Sequence, residues 1–538
     1  MSRAVPVALC VAMLWISRHG SEAPVAATAP PPSAQKDGAE RAKLATLFFG
    51  NKACAGTSCH ERPEPVRGDE KDVTAIFTRH HEMSVWYKSD KHKDATKVLT
   101  DGLGKKIAER MGIPVGKIDF VADKAQWKQC LSCHGAHIEN EDHADKKTFA
   151  PADRVESGVS CVACHGSHAE WVTEHTKPVN NLWATFNSEQ KEAKFGLNNL
   201  WNFEKRAELC ASCHIGNAAQ NKVVTHEMYA AGHPPLPGFE VSAFSEAMPR
   251  HWETWSEKLK RLPKQKEAYA TAYQFDAETQ QGQIEQARMT AVAAAVAFRE
   301  SMKLAADMAE GRAKVNNQAV TWPEFAAFDC YACHHDLKKE SWRQQRGFKG
   351  IPGRPQLRDW PLALMHVGID FVAAGSANPG PALPSRPAFD QDFHKVIAVL
   401  NSRPFGEPTE LGRAARKLVP WSDDLIRQLN KATYDRGGVD RLLNTITSYA
   451  HKELVDFDSA RQLAWAFTTL RWELAARDGK SDANQRYSDF VQQRFPELNQ
   501  LLNLVLPEGQ QPIAGKFMGA TMKQIQEYDP MKLRAYLR

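Results

Sequence analysis

The sequence predicts a mainly α fold with little regular sheet. A cysteine- and histidine-rich core is expected over residues 46–375, with a helical insertion at about 245–320 and a C-terminal all-α domain over 389–538. Three observations carry this. Apolar residues recur at helical spacing in several long stretches. Ten of the eleven cysteines fall in five short units between residues 54 and 334. Residues 389–538 hold no cysteine, yet they repeat helix start and stop signals.

The elements follow in chain order. Residues 1–29 read as an export signal. Arg3 supplies the charge, Ala4 to Ile16 an apolar run, and Ala27 to Ala29 a small-x-small cleavage site. That run is too short for a spanning helix, which needs about 20 residues. Cys10 inside it reads as an apolar signal residue, with a lipid-modified or anchor cysteine as the alternative. Residues 30–45 form a flexible lead-in. The mature chain is expected to be exported and periplasmic, with no spanning helix. The net charge of +5 is small for 538 residues. Lys and Arg are interleaved with Asp and Glu and form no basic face, which argues against nucleic acid as a partner.

The remaining ten cysteines make five pairs, each followed at once by a histidine. The pairs are Cys54 and Cys59 with His60, Cys130 and Cys133 with His134, and Cys161 and Cys164 with His165. Cys210 and Cys213 with His214, and Cys330 and Cys333 with His334, complete the set. Four of these are C-x-x-C-H, the attachment signal of c-type haem, and a random chain of this composition would hold roughly 0.01 copies. The spacing has a chemical reason. Two thiols reach the two vinyl groups on one porphyrin edge, and the next residue's imidazole takes the iron as proximal ligand. Structural zinc needs no histidine after each pair, and an exported disulfide protein does not confine its cysteines to such units. The opening unit, "CAGTSCH", has four spacer residues. It reads as a fifth haem site with a looped-out spacer, with a Cys54–Cys59 disulfide as the alternative. The expectation is five covalently bound haem c groups.

Longer stretches carry a resemblance. "GVSCVACHGSHAEW", "LCASCHIGN", "VVTHEMYAAGHPPLPGFE", "VWYKSDKHKDA" and "FDCYACHHDLKKESW" resemble the cytochrome c-552/c-554 family of multihaem cytochromes, over roughly residues 45–345. The resemblance implies a largely helical fold with closely packed haems in periplasmic electron transfer. The four-residue spacer and a fifth haem depart from the family's best-known members, which carry four.

The second axial ligand decides whether an iron is saturated or open. Of 20 histidines, five are proximal and His19 lies in the signal, leaving fourteen. His137 and His168 follow a proximal histidine by three residues, on that haem's own proximal side, and cannot reach the same iron, with service to a neighbouring haem as the alternative. The candidate distal ligands are His92, His175, His226, His233 and His335. His335 directly follows His334 and points elsewhere, so it is assigned to an adjacent haem. Gly232 and the prolines after His233 are expected to break the helix of His226 and aim His233 separately. His80 and His81 are runners-up, and His251 and His366 trail them. Methionine as a ligand would raise an iron's potential, but Met83 and Met228 read as packing residues.

The insertion is read as two helices, His251 to Leu262 and Glu285 to Gly311, the second with Ala291, Ala295, Phe298, Met302 and Ala305 on one face and Gly311 as its stop. Residues 376–388 read as a linker. In the C-terminal domain Asp458 is expected to cap a helix ending at Gly479, and Ser422 another.

Two function classes compete. In the first the chain is an electron carrier with five six-coordinate, mostly bis-His haems, exchanging electrons with redox partner proteins in the periplasm or at the membrane. In the second, one open iron acts on a small nitrogen or sulfur species. No C-x-x-C-K unit is present, and no catalytic residue is assigned, so the carrier reading leads. The C-terminal domain also suits docking to a larger respiratory complex.

Overall fold

The computed structural model describes residues 54–55, 59–68, 73–116, 124–135, 158–166, 171, 174–177, 182–274, 283–335, 338, 341, 344, 350–375, 385–453, 455–480, 485–505 and 523–537. The expected signal and lead-in, residues 376–384 of the expected linker, and His137 and His168 lie outside them.

The described chain is mainly helical, as its periodicity predicts. The elements that matter here are α1 (Glu82–Ser89), α2 (Lys124–His134), α3 (Cys161–His165), α4 (Phe203–His214), α5 (His226–Ala231), α6 (Val241–Ala247) and α7 (Trp255–Arg261). They continue with α8 (Glu285–Ala309), α9 (Trp360–Gly375), α10 (Arg386–Ser402), α11 (Pro408–Lys417), α12 (Val419–Lys431), α13 (Arg436–Lys452) and α14 (Phe457–Arg477). Among the described residues the sheet content is one hairpin, Lys314–Val315 against Gln318–Ala319. Asn316 and Asn317 both take positive φ in its two-residue turn, the backbone that matches strand twist.

Helix α8 is the axis of the larger half. It is buried on nearly every side, and its small residues Ala291, Ala293, Ala294, Ala295 and Ala297 let neighbours approach closely. Helices α4, α6, α9, α11, α12 and α14 all pack on it. One buried apolar cluster therefore runs from Ala207 on α4 through α8 to Leu537 near the C-terminus. The insertion and the C-terminal helices share this core. A buried cation holds the junction: Arg299 on α8 donates to Glu204 of α4 (2.7 Å), Asp423 of α12 (2.7 Å) and Glu300 (3.0 Å), and also pairs with Glu208 of α4. Its side chain is 4 % exposed, so losing it would strand several half-buried carboxylates.

Three helix boundaries differ from the sequence reading. The cap of α14 is Asp456, whose carboxylate accepts from the Ser459 N–H at 2.6 Å, and Asp458 lies inside the first turn. Helix α12 starts at Val419 with Pro420 in its first turn; Ser422 is internal, its hydroxyl donating back to the Leu418 carbonyl at 3.3 Å. Helix α7 begins at Trp255, where Thr254 and Glu257 form a capping box, and this leaves His251 in a loop. Gly311 and Gly479 end their helices with φ of +68° and +65°, a conformation open to glycine.

Glu240 caps α6 from inside the protein. Its carboxylate, 2 % exposed, accepts from the N–H groups of Ser242 (3.1 Å) and Ala243 (2.6 Å). Burial outweighs these bonds and pushes the carboxyl up to about 7. The folded state thus holds a proton that the unfolded chain releases near pH 4.5. Stability should fall as pH rises from about 5 to about 7, by about 3 kcal/mol, and stay lowered above that range. Thermal melts of the wild type and E240Q across pH 5–8 check this; the variant should show a flatter profile.

Candidate haem sites

The smaller half, built from residues 54–273, is arranged around a cavity of about 930 Å³. Protein interiors hold few voids larger than a water, so a space this size is shaped for large groups. Its lining includes Cys54, Cys59, Cys130, Cys133, Cys161, Cys164, Cys210 and Cys213, with their histidines His60, His134, His165 and His214.

Local helix geometry explains three of these units. Residues i, i+3 and i+4 share one helix face, so C-x-x-C-H in a helix presents both thiols and the imidazole together. Cys130, Cys133 and His134 end α2; Cys161, Cys164 and His165 make up α3; Cys210, Cys213 and His214 end α4. The last unit differs: Cys330 to Ala332 is a single 3-10 turn, capped by Asp329 through the Tyr331 N–H at 3.0 Å. Cys333 and His334 there are exposed.

A second imidazole faces every one of the five motif histidines. Ring centres are 6.4 Å apart for His214 and His92, 6.2 Å for His134 and His233, and 6.4 Å for His165 and His251. They are 6.4 Å apart for His334 and His226. His60 has two such neighbours, His80 and His175, each at 6.3 Å. A histidine nitrogen lies about 2 Å from a bound first-row metal and roughly 1 Å from its ring centre, so two imidazoles on opposite sides of one ion stand about 6 Å apart. All five motif histidines thus meet the spacing a haem iron requires.

The chain positions these rings from a distance. His92 sits in the turn Lys91–Asp94, and buried Asp90 accepts both its backbone N–H (2.9 Å) and its Nδ1–H (2.9 Å). His226 opens α5, capped by Thr225, while Gly232 at φ +119° turns the chain so that His233 faces a different partner. That is the separation expected from the sequence. His60 donates Nδ1–H to Glu82 of α1 at 2.9 Å. Burial raises the Glu82 carboxyl, but the bonds from His60 and the Arg79 N–H win and hold it at about 2.

The candidates of the sequence reading are placed as follows. His92, His175, His226 and His233 each lie opposite a motif histidine. His335, half-buried, is required for none of the pairs. The residue underrated from sequence is His251, read as helical: the shorter α7 leaves it free to face His165. His366 lies on α9, packed against the C-terminal helices, bonded to Asp390 (2.8 Å) and near Tyr449 (3.4 Å).

The lining also suits the two carboxylates that each haem carries. Arg206 lies over the Trp252 ring (4.5 Å), Lys191 over Trp183 (5.0 Å), and Lys258 over Trp201, Tyr269 and Tyr273. Lys222 donates to Ser212 at 2.9 Å. All four cations face the cavity, and burial lowers Lys191 and Lys258 to about 8. Among the described residues, no helix is long and apolar enough to cross a membrane.

The comparisons agree with this chemistry. The family model described as cytochrome c554 and c-prime matches residues 53–166, a segment that holds the first three cysteine pairs, the wide-spaced one included. No curated protein and no solved structure matches the chain. Residues 53–166 are thus similar to the cytochrome c554 and c-prime family, which supports a c-type cytochrome that holds haem covalently and transfers electrons.

Proposed function

We propose that the protein is a periplasmic electron carrier with five covalently bound haems, each iron held between two histidines. The observation that carries this reading is the five ring pairs at 6.2–6.4 Å. The axial pairs are His60 with His175, His134 with His233, His165 with His251, His214 with His92, and His334 with His226. His175 is preferred over His80 for the first iron. His175 lines the cavity, and its Nδ1–H donates to the Trp171 carbonyl at 3.0 Å, which fixes its ring there. His80, whose Nδ1 bonds the carbonyl of Cys59 at 2.5 Å, is not among the residues that line this cavity.

Bound haem supplies a one-electron centre, and the chain supplies the order of the centres. Cys54 and Cys161 are within hydrogen-bonding reach, as are Cys133 and Cys213, and Cys164 lies by Cys210 and Cys213. Arg358 spans the Tyr229 hydroxyl (3.3 Å) and the Cys330 sulfur (3.7 Å), and α5 with the turn after it carries His226 and His233 towards two sites. These contacts support a line running from the His60 site through those of His165, His214 and His134 to His334. The exposed His334 end is the natural place for a redox partner to dock.

An EPR spectrum of the oxidised protein, calibrated by total haem, tests the reading. Five haems per chain are expected, all low-spin. Ring planes are 66–85° apart in three pairs and 23–24° in two. Crossed imidazole planes give strongly anisotropic signals and near-parallel planes give rhombic ones, so the two types should appear in a ratio of three to two. A high-spin haem that shifts with nitrite would favour an enzyme instead.

A further inference from the structure

We propose that Glu82 and Asp90 set the reduction potentials of two irons, those of His60 and His214, at the low end of the five. The inference rests on the axial pairs above and concerns what lies behind them. His60 gives its Nδ1–H to a carboxylate, Glu82, whose side chain is 19 % exposed. His92, across from His214, gives its Nδ1–H to the carboxylate of Asp90, 3 % exposed. The site of His134 is different on both sides. His134 Nδ1 bonds the Ala95 carbonyl (3.0 Å), and His233 Nδ1 bonds the Pro234 carbonyl (2.7 Å).

The chemical consequence has one sign. A carboxylate draws the Nδ1 proton towards itself and makes the opposite nitrogen a stronger base. A stronger donor favours the ferric ion, which carries more charge, over the ferrous ion. The buried negative charge acts in the same direction, and it is little screened there. Hydrogen bonding behind an axial ligand is a recognised lever on haem potential. Reduction takes one electron from the redox partner; no bond breaks, and the Nδ1 proton stays on its imidazole. Glu82 and Asp90 are therefore positioning residues that act through His60 and His92. Asp90 also caps the turn that carries His92, so stability alone cannot report its electronic role.

Spectropotentiometric titration of E82Q and D90N tests the proposal, because amides keep the shape and an acceptor oxygen but lose the charge. In each variant the haem behind the lost carboxylate should rise furthest in midpoint, with at most a smaller rise at the neighbouring His165 site. If the ferric form bears the ten- to hundredfold loss in affinity usual for such partners, the rise is about 60–120 mV. E82D restores a carboxylate and should return the midpoint towards the wild type. Unchanged midpoints in variants with five low-spin haems would overturn this proposal and leave the axial pairs standing. A high-spin haem in the wild type would instead strike at the axial pairs.

Discussion

Replacing His251 with alanine should convert one iron of five from low spin to high spin, with the haem content unchanged. The attachment of that haem depends on Cys161 and Cys164, which α3 holds without help from His251. The loop that carries His251 is fixed from either side. The Thr254–Glu257 capping box anchors it, and Arg250 donates to Glu257 at 3.0 and 3.3 Å. The variant should therefore fold, and its iron should bind carbon monoxide once reduced, which the wild type should not. His251→Met gives a sharper version. A thioether in place of the imidazole keeps the iron low-spin but should raise its potential by on the order of 100 mV, a fraction of the range that axial ligands span. Absorption and EPR spectra read both variants. A spectrum of His251→Ala that stays entirely low-spin would assign the sixth ligand of this haem to another side chain.

His251 also marks what was legible in the sequence. Cysteine spacing is a local signal with a local cause, one helix face in three of the units, so four attachment motifs could be read directly. Long helices were legible for the same reason: the Ala291 to Ala305 stripe and the stops at Gly311 and Gly479 are features of neighbouring residues. Helix starts were not. Asp456 and Asp458 offer the same carboxylate two positions apart, and the choice between them depends on how the preceding chain enters. Distal ligands are harder still, because each pair joins residues distant in sequence, such as His92 and His214. No periodicity encodes that partnership. His226 and His233 could be separated only because Gly232 and the prolines show where the helix must break. His251 sat in a stretch that looked helical, and a helix would have hidden the loop that frees it. Glu82 and Asp90 carried no signal at all: each is an ordinary acidic residue until the fold sets it behind an imidazole.

The junction between the halves bears on function as well as stability. Helix α4 ends in the Cys210–His214 motif, and its other face packs on α8. Arg299 ties that same helix to both the insertion and α12. A haem bound at the end of α4 is therefore held against the whole apolar core, not on a loop. Phe239 adds to this by stacking on the His214 ring at 4.6 Å, with planes 6° apart, and Phe244 beneath it reaches Trp465 of α14. The C-terminal helices thus stiffen the middle of the proposed line. A rigid ligand set limits the rearrangement that each electron transfer requires, which is reason enough for an electron carrier to keep a large domain without a haem of its own.

Replacing both Cys54 and Cys59 with alanine should lower the count from five haems to four, since the two sulfurs are the covalent hold on the first site. The wide spacer is no obstacle to this reading. Cys54 lies close to Cys161 of the neighbouring motif, and both Cys54 and Cys59 face the shared cavity. Had they formed a disulfide, the double variant would keep its haem content and lose stability alone. Mass and pyridine haemochrome measurements separate the two outcomes. The axial ligand of this iron can then be decided between two rings that stand equally far from His60. His175→Ala should leave one haem high-spin, because His175 faces the cavity with its ring 6.3 Å from that of His60. His80→Ala should leave all five low-spin, because His80 is not among the residues that line the cavity. His80 holds a positive φ of 59°, a costly conformation for a residue with a Cβ, so the bond to Cys59 is better read as fixing the Cys59–His60 turn. The reverse pattern, with His80→Ala high-spin and His175→Ala unchanged, would place His80 on the iron and make His175 the supporting ring.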